Sequence, residues 1–438
     1  MNRGWKLWAI ESIVLESNDD LRRYFDFNTT PASYESKMSE APKSLRPKIP
    51  RTVWALGFVS LFMDISSEIV HGLLPLFLTV TLGASVAMVG LIDGIAEATA
   101  SVSKVFSGYI SDRIGRRKPL ILLGYGMGAL SKPLFAIAAS PLPILGARFV
   151  DRIGKGLRGA PRDALVADVT PPEIRGRAYG LRQSLDTVGA FLGPLLAIGL
   201  MALFANDMRA VFWVAVIPGL VAVFLVIFGV EGGRTVSDDA IVRIPIQVGD
   251  LRKLDRGFWI VVGIGVAFTM ARFSEAFLVL KANAEGLPLA LTPLVLVAMN
   301  VVYSLGSYPA GALADDTGPY RPLIYGLGCL LAADACLAFG PGLYGAFVGV
   351  AFWGGHMALT QGLLAKLVAD TAPDALRGSA FGVFNLATGV TMLFASMIAG
   401  ILWDVAGPVS TFVVGGGFAV IATAMLIGWR IVAMSRQR

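Results

Sequence analysis

Charged side chains are scarce in this chain. Asp, Glu, Lys and Arg make up 16% of its 438 residues, against about a quarter in an ordinary soluble domain. That scarcity argues against a water-soluble enzyme. Cysteine is scarcer still, with only Cys329 and Cys336. The two share one apolar stretch, fit neither a disulfide framework nor a metal spacing, and read as small packing residues. The sequence has no HExxH and no CxxC, so metal hydrolysis and dithiol chemistry lack their usual ligands. It has no G-x-x-x-x-G-K-[ST] loop either. Gly154-Lys155-Gly156 lies inside an apolar run, and ATP is not the expected driver. No metal and no cofactor is expected. The stretch Trp5 to Leu15 is too short and interrupted for a secretory leader.

What fills the chain instead is apolar. Hydrophobic residues make up 55%, and mean hydropathy is +0.67. Apolar runs long enough for a ~30 Å hydrocarbon core lie near 53–81, 86–110, 119–139, 142–167, 178–204 and 210–229. Six more lie near 258–281, 290–314, 321–340, 342–369, 379–402 and 409–432. Backbone in lipid must satisfy its own hydrogen bonds, so these lengths predict helices rather than barrel strands. The predicted fold is an all-α membrane protein of twelve transmembrane helices in a lipid bilayer. Residues 1–50 are polar, mixed in charge, and expected to form a tail with little structure. Within them, Met38 opens the basic lead MSEAPKSLRPKIP and is a second candidate start, and the sequon Asn28-Thr29-Thr30 reads as coincidence.

The net charge of +6 could suggest nucleic acid, but the cations flank apolar runs, the pattern of topology determinants. Lys43, Arg46, Lys48 and Arg51 precede the first run. Arg113, Arg116, Arg117 and Lys118 separate the second and third, and Arg175 and Arg177 the fourth and fifth. Arg234, Arg243, Arg252, Lys253 and Arg256 mark the polar stretch 230–257, while the alternate loops hold few cations, such as Arg209. Both termini and this linker are therefore expected on the cytoplasmic side of the cell (inner or plasma) membrane, with no nucleic-acid partner.

The two halves repeat each other. Ala167-Asp168-Val169-Thr170-Pro171 recurs as Ala369-Asp370-Thr371-Ala372-Pro373, and Arg175-Gly176 as Arg377-Gly378, both offset by 202 residues. Gly108 to Asp112 recurs as Gly311 to Asp315, and Ser67-Glu68 as Ser274-Glu275. Steady offsets describe a duplicated six-helix unit, with bundles at 51–229 and 258–438 joined by the 230–257 linker. Parallel repeats of this kind place a solute path at their interface.

The loop after the second run reads Gly108-Tyr109-Ile110-Ser111-Asp112-Arg113-Ile114-Gly115-Arg116-Arg117. It resembles motif A of the major facilitator superfamily, G-x-L-A-D-R-x-G-R-R, with conservative departures at Ile110 and Ser111. The resemblance implies two pseudo-symmetric six-helix bundles. It also implies a gate at Gly108, Asp112, Arg113, Gly115, Arg116 and Arg117, whose carboxylate latches the halves in the outward-facing state. A basic loop that only sets topology is the alternative. In the fifth run, Gly180, Gly189 and Gly193-Pro194 resemble motif C of the family's antiporters, although Ala197-Ile198 replaces the usual final glycine pair. That motif implies proton-driven export, and plain small-residue packing is its alternative. Arg148 resembles the arginine of motif B, R-x-x-Q-G-x-G, with Asp151 and Arg152 in place of glutamine and glycine. The family role of that arginine is proton coupling.

Charges inside the runs gather in stripes. In the fourth, Arg148, Asp151, Arg152, Lys155, Arg158 and Arg162 fall within a sector of about 120°. Asp64, Glu68 and His71 share a face of the first run, and Asp93 and Glu97 a face of the second. Lys132, Arg182, Asp186, Arg272 and Glu275 complete the set. A charge at the bilayer centre costs at least about 2.5–3.5 kcal/mol, so these groups should pair. Asp64, Glu68, Asp93, Glu97, Arg148 and Glu275 are the proton-coupling candidates, because a carboxylate beside a cation changes partners when protonated. His71, Lys132, Asp151, Arg152, Lys155, Arg182, Asp186 and Arg272 are the solute-cavity candidates. A static ion-pair network fixing helix register is the alternative for any one of them.

The expected function is alternating-access transport of a small organic solute by a monomer, by proton-coupled export. Proton-coupled uptake of an organic anion or siderophore is the second expectation. A transporter-like receptor without transport is the third.

Overall fold

A computed structural model describes residues 48–231 and 254–435, apart from 115, 362, 374 and 375. The expected tail up to residue 47, most of the 230–257 linker, Gly115 and the side chain of Asp112 lie outside the described residues.

Every apolar run is a helix. α1 spans Arg51–His71 and continues through a short turn, Leu74–Leu76, into a π-helical end, Phe77–Thr81. There follow α2 (Val86–Ile114), α3 (Arg117–Ile137), α4 (Pro141–Val169), α5 (Arg175–Leu203) and α6 (Met208–Gly229). Past the linker, α7 comes in two pieces, α7a (Arg256–Ala271) and α7b (Ala276–Ala284). Next are α8 (Leu294–Thr317), α9 (Tyr320–Phe339), α10a (Gly342–Thr360), α10b (Leu363–Thr371), α11 (Arg377–Ala406) and α12 (Pro408–Ser435). Ten of the twelve spans are long and apolar enough to cross a membrane by composition alone. The other two are α4, with its row of charges, and α10a, diluted by five glycines and His356. Each packs between two neighbouring helices, α4 on α2 and α3 and α10a on α8 and α9, so the polar face of α4 can turn away from lipid.

The duplication shows in the packing. In the first half α1 packs on α5 and α6, α4 on α2 and α3, and α3 on α6. In the second half α7a packs on α11 and α12, α10a on α8 and α9, and α9 on α12. Each pair is repeated six helices later. The contacts between halves obey the same symmetry, since α2 meets α11 and α5 meets α8. The repeats differ where the dipeptide Ser-Glu recurs: Ser67-Glu68 lies in unbroken α1, whereas Ser274-Glu275 lies in the non-helical break of α7.

Small residues let α2 and α11 touch backbone to backbone. A Cβ on Gly94 would fall 2.9 Å from the Cα of Leu393, and one on Gly90 would strike the Ser396 carbonyl. In lipid no hydrophobic drive pushes helices together, so close packing of this kind and polar contacts hold the halves. One polar contact lies at the end opposite the linker. The Asp404 carboxylate, near the end of α11, accepts hydrogen bonds from the backbone N–H groups of Val86 (3.0 Å) and Ala87 (2.8 Å). One half thus caps the first turn of a helix in the other. At the same end Gly72 faces Pro293, and α7b packs on Leu74–Leu76.

Removing this cap loosens that end alone. Loss of an N-cap costs about 1 kcal/mol, so Asp404→Ala should raise the population open at that end roughly fivefold. Accessibility of single cysteines placed at positions 85 and 407 measures it, and unchanged labelling rates would refute a role of the cap in closing this end.

Candidate functional site

The inward stripes of α1, α2, α4 and α7 meet at the interface of the halves, around a cavity of about 350 Å³. α1 contributes Glu68 and His71, and α2 contributes Asp93 and Glu97. α4 adds Arg148, Arg152 and Lys155, and the break in α7 adds the run Arg272 to Glu275. These positions follow from periodicity. Residues three or four apart on one helix share a face, and a polar face in a bilayer turns inward.

Most of the charges are paired. Arg148 Nη2 lies 2.6 Å from Asp93 Oδ1, and both side chains are 5% exposed. Arg152 Nη1 lies 3.2 Å from Glu97 Oε1. His71 Nδ1 lies 3.2 Å from Glu68 Oε2, and Arg272 Nη2 lies 3.8 Å from Glu275 Oε1. The other oxygen of Asp93 accepts a 2.8 Å hydrogen bond from Ser274 Oγ. Asp93 is therefore held by an arginine of its own half and a serine of the other. Lys155 is the exception among the cations: it faces the cavity, is exposed, and forms no ion pair with a described residue. Exposure increases toward the linker end, where the Glu97 side chain is 45% exposed and Gln361 is exposed. The cavity is closed at the Asp404 end and opens toward the linker end.

Several cavity candidates stand elsewhere. Lys132 and Asp151 form a buried 2.8 Å ion pair between α3 and α4, and Lys132 also donates to Ser67 Oγ. The stripe on α4 splits because α3 packs against one of its edges and takes Asp151 and Arg158 with it. Arg158 lies over the Tyr125 ring, 4.7 Å from its centroid. Arg182 and Asp186 belong to a cluster on α4 and α5 with Arg162 and Asp163, at 3.2–3.8 Å. Asp64 faces Asp186 within this cluster and is absent from the cavity lining.

The motif C-like glycines explain how α5 reaches α1. A Cβ on Gly189 would lie 3.1 Å from Asp64 Cβ, and one on Gly193, beside buried Pro194, would lie 2.6 Å from Glu68 Cβ. Gly180 has open space around it. In motif A, Gly108 sits opposite Ala160 of α4, Arg113 and Arg116 are exposed, and Arg117 pairs with Asp168 at 2.6 Å.

Residues without charge escaped the sequence reading. Asn300, Gln361, Met357 and Met392 line the cavity, and Ser274 closes the bridge to Asp93. Only Ser274 carried a signal, through its repeat with Ser67. A second, apolar cavity of about 480 Å³ lies between α5 and α8 beside Phe191, Leu192, Val301 and Leu305. It shares Ala190 and Asn300 with the charged one. No cluster with metal-ligand geometry occurs among the described residues.

Comparison with known proteins agrees with this architecture. A family model described as Major Facilitator Superfamily matches residues 56–390 and again 262–437. An uncharacterised MFS-type transporter of Methanocaldococcus jannaschii is 28% identical over 388 residues, covering 87% of this chain and 95% of the relative. Multidrug resistance protein MdtH of Yersinia enterocolitica is 31% identical over 204 residues, 46% of this chain and 47% of its own length. Among solved structures, nucleoside transporter NupG superposes with a TM-score of 0.71 at 11% identity, covering 86% of this chain and 98% of that one. An inward-facing bacterial homolog of the lysosomal transporter Spinster gives 0.68 at 17%, covering 88% and 98%. At such identities these two report the fold alone.

The ion pairs differ in what their loss does. Asp93→Asn strands buried Arg148 and should destabilise the protein by about 3–5 kcal/mol. Glu97→Gln removes a half-exposed partner and should cost less than about 1 kcal/mol. Thermal unfolding of the detergent-solubilised protein compares them, and equal losses would contradict the burial argument.

Proposed function

This chain belongs to the major facilitator superfamily, a family of transporters rather than enzymes, and we propose that it exports a small organic solute with a negatively charged group in exchange for protons. The observation that carries the reading is the charged cavity between the halves. Three of its cations are held by acids, which leaves Lys155 exposed to take an anionic group of the solute. The adjoining apolar cavity can accept a hydrocarbon portion, so the favoured solute is amphipathic.

Alternating access follows from the geometry. Residues 51–229 and 258–438 act as two bodies that rock about the cavity in a monomer. With the linker and both termini in the cytoplasm of a cell with this protein in its inner membrane, the state described here faces inward. The solute enters from the linker end. Closing that end brings the motif A loop against the second half, where Asp112 is the latch, and the Asp404 cap opens. Export rather than uptake is supported by the motif C-like glycines of α5, packed against α1, and by the name of the MdtH relatives. The same lysine supports a second reading, uptake of an organic anion.

Proton coupling rests on acids whose partners change between states. Glu68 is the first candidate. It faces the cavity, is bound to His71 at 3.2 Å, and Gly193 sets α5 directly against it. Asp93, Glu97, Glu275 and Asp64 are further candidates, with Arg148 as the cation that Asp93 engages or releases. A carboxylate that binds a proton gives up its cation, and the freed cation can then hold the solute's negative group.

Three measurements test the reading. In proteoliposomes, acid on the side opposite the linker should drive a negatively charged organic solute out of the linker side. No solute-dependent proton movement across a broad panel would sink coupled transport. Lys155→Ala removes a charge-assisted hydrogen bond of about 1.5–3 kcal/mol, so the half-saturating solute concentration should rise roughly tenfold or more. Glu68→Gln should flatten the pH profile while protein remains in the membrane.

A further inference from the structure

One buried acid takes no part in the network described above. Asp334 lies in α9 and is 2% exposed. Neither of its carboxyl oxygens has a hydrogen-bond partner among the described residues. Every cavity acid, by contrast, has a basic neighbour within 4 Å.

Among the described residues, the helices packed on α9 bring Asp334 no counter-charge: the one cation of α12, Arg430, lies over the Tyr320 ring at the start of α9. α12 presents Gly415 and Gly416 to it. On α10a the buried titratable group is His356, whose Nδ1 is bound to the carbonyl of Gly326 at 2.9 Å. That carbonyl lies two turns along α9 from Asp334, about 12 Å away. On α8, Asp315 and Asp316 sit at the far end of the helix. Arg272, in the break of α7, is held by Glu275.

A carboxylate with no donor and no cation, buried in a bilayer, is far less stable than the carboxylic acid. A single wall separates this group from the solute cavity. A Cβ on Gly415 would lie 3.4 Å from Asp334 Oδ2 and 2.9 Å from Phe273 Cε1. Phe273 itself lines the cavity. It sits in the non-helical break between α7a and α7b, between the Arg272 N–H, which donates to the Thr269 carbonyl, and the Ser274 N–H, which donates to Ser396 Oγ, and packs against Phe277, Trp353 and Phe412.

We propose that Asp334 is a proton-binding site of the transport cycle, loaded in the state described here and emptied into the cavity when Phe273 leaves its place in the α7 break. The O–H bond of the acid breaks heterolytically, the proton passes to cavity water, and the carboxylate left behind is stabilised by that water. Reloading reverses the step. The inference rests on the proton-coupled reading above and adds to it a site in the second half, away from the ion pairs.

Two independent readouts test it. Asp334→Asn keeps the shape and removes the proton. Flux driven by a pH gradient should fall by about tenfold or more, the usual scale of coupling between two bound ligands, while solute exchange without a gradient persists. Asp334→Glu, which keeps the acid, should restore gradient-driven flux. Unimpaired gradient-driven flux in Asp334→Asn would overturn the proposal. The second readout needs no transport. Infrared spectra of the wild-type protein at neutral pH should contain a protonated-carboxyl band that Asp334→Asn lacks. In Phe273→Ala, which opens the wall, that band should be lost at neutral pH and return in acid. Identical bands in wild type and Asp334→Asn would refute a bound proton. If the wild type shows no gradient-driven flux at all, antiport fails and Asp334 has no coupling role, while the infrared comparison still decides whether it holds a proton.

Discussion

An ion in the hydrocarbon layer needs a counter-ion or a path to water, and the arrangement of these helices follows from that requirement. The Arg148–Asp93 pair shows the constraint at its tightest. Both groups are buried, 2.6 Å apart, on helices of the same half. Neither could face lipid alone without a penalty larger than most packing contacts can offset. The pair therefore sets how α2 and α4 are rotated. That rotation directs Glu97 and Arg152, one turn along the same helices, into the cavity.

The same constraint joins the halves. Asp93 keeps one oxygen for Arg148 and gives the other to Ser274, in the break of α7. A helical α7 would point Ser274 and Glu275 as α1 points Ser67 and Glu68. Unwinding lets the second copy of the dipeptide reach across the interface instead. With the Asp404 cap at the closed end, these polar contacts and a row of close backbone approaches connect bodies that lipid does not press together.

Much of the fold was legible in the sequence because hydrocarbon thickness dictates helix length. All twelve spans lie within a few residues of the apolar runs, and the offset of 202 residues anticipates a packing pattern that repeats six helices later. The site was only partly legible. Spacing placed Glu68 with His71, and Arg148 with Arg152 and Lys155, on common faces, and all five line the cavity. Spacing could not separate them from Lys132, Asp151 and Arg182, which carry the same charges but are taken up by neighbouring helices. Neutral lining residues such as Asn300 and Gln361 gave no signal, because a polar amide is not conspicuous at the end of an apolar run.

By itself, then, the sequence determined which segments cross the membrane, how they are duplicated and which faces avoid lipid. Those properties depend on local composition and helical periodicity. Only the tertiary structure decided which acid each cation meets, which charges reach the cavity, and that Lys155 and Asp334 lack an oppositely charged partner among the described residues. Pairing depends on the rotation and depth of helices far apart in the chain, and a few ångströms decide whether a carboxylate is neutralised by an arginine or must keep its proton.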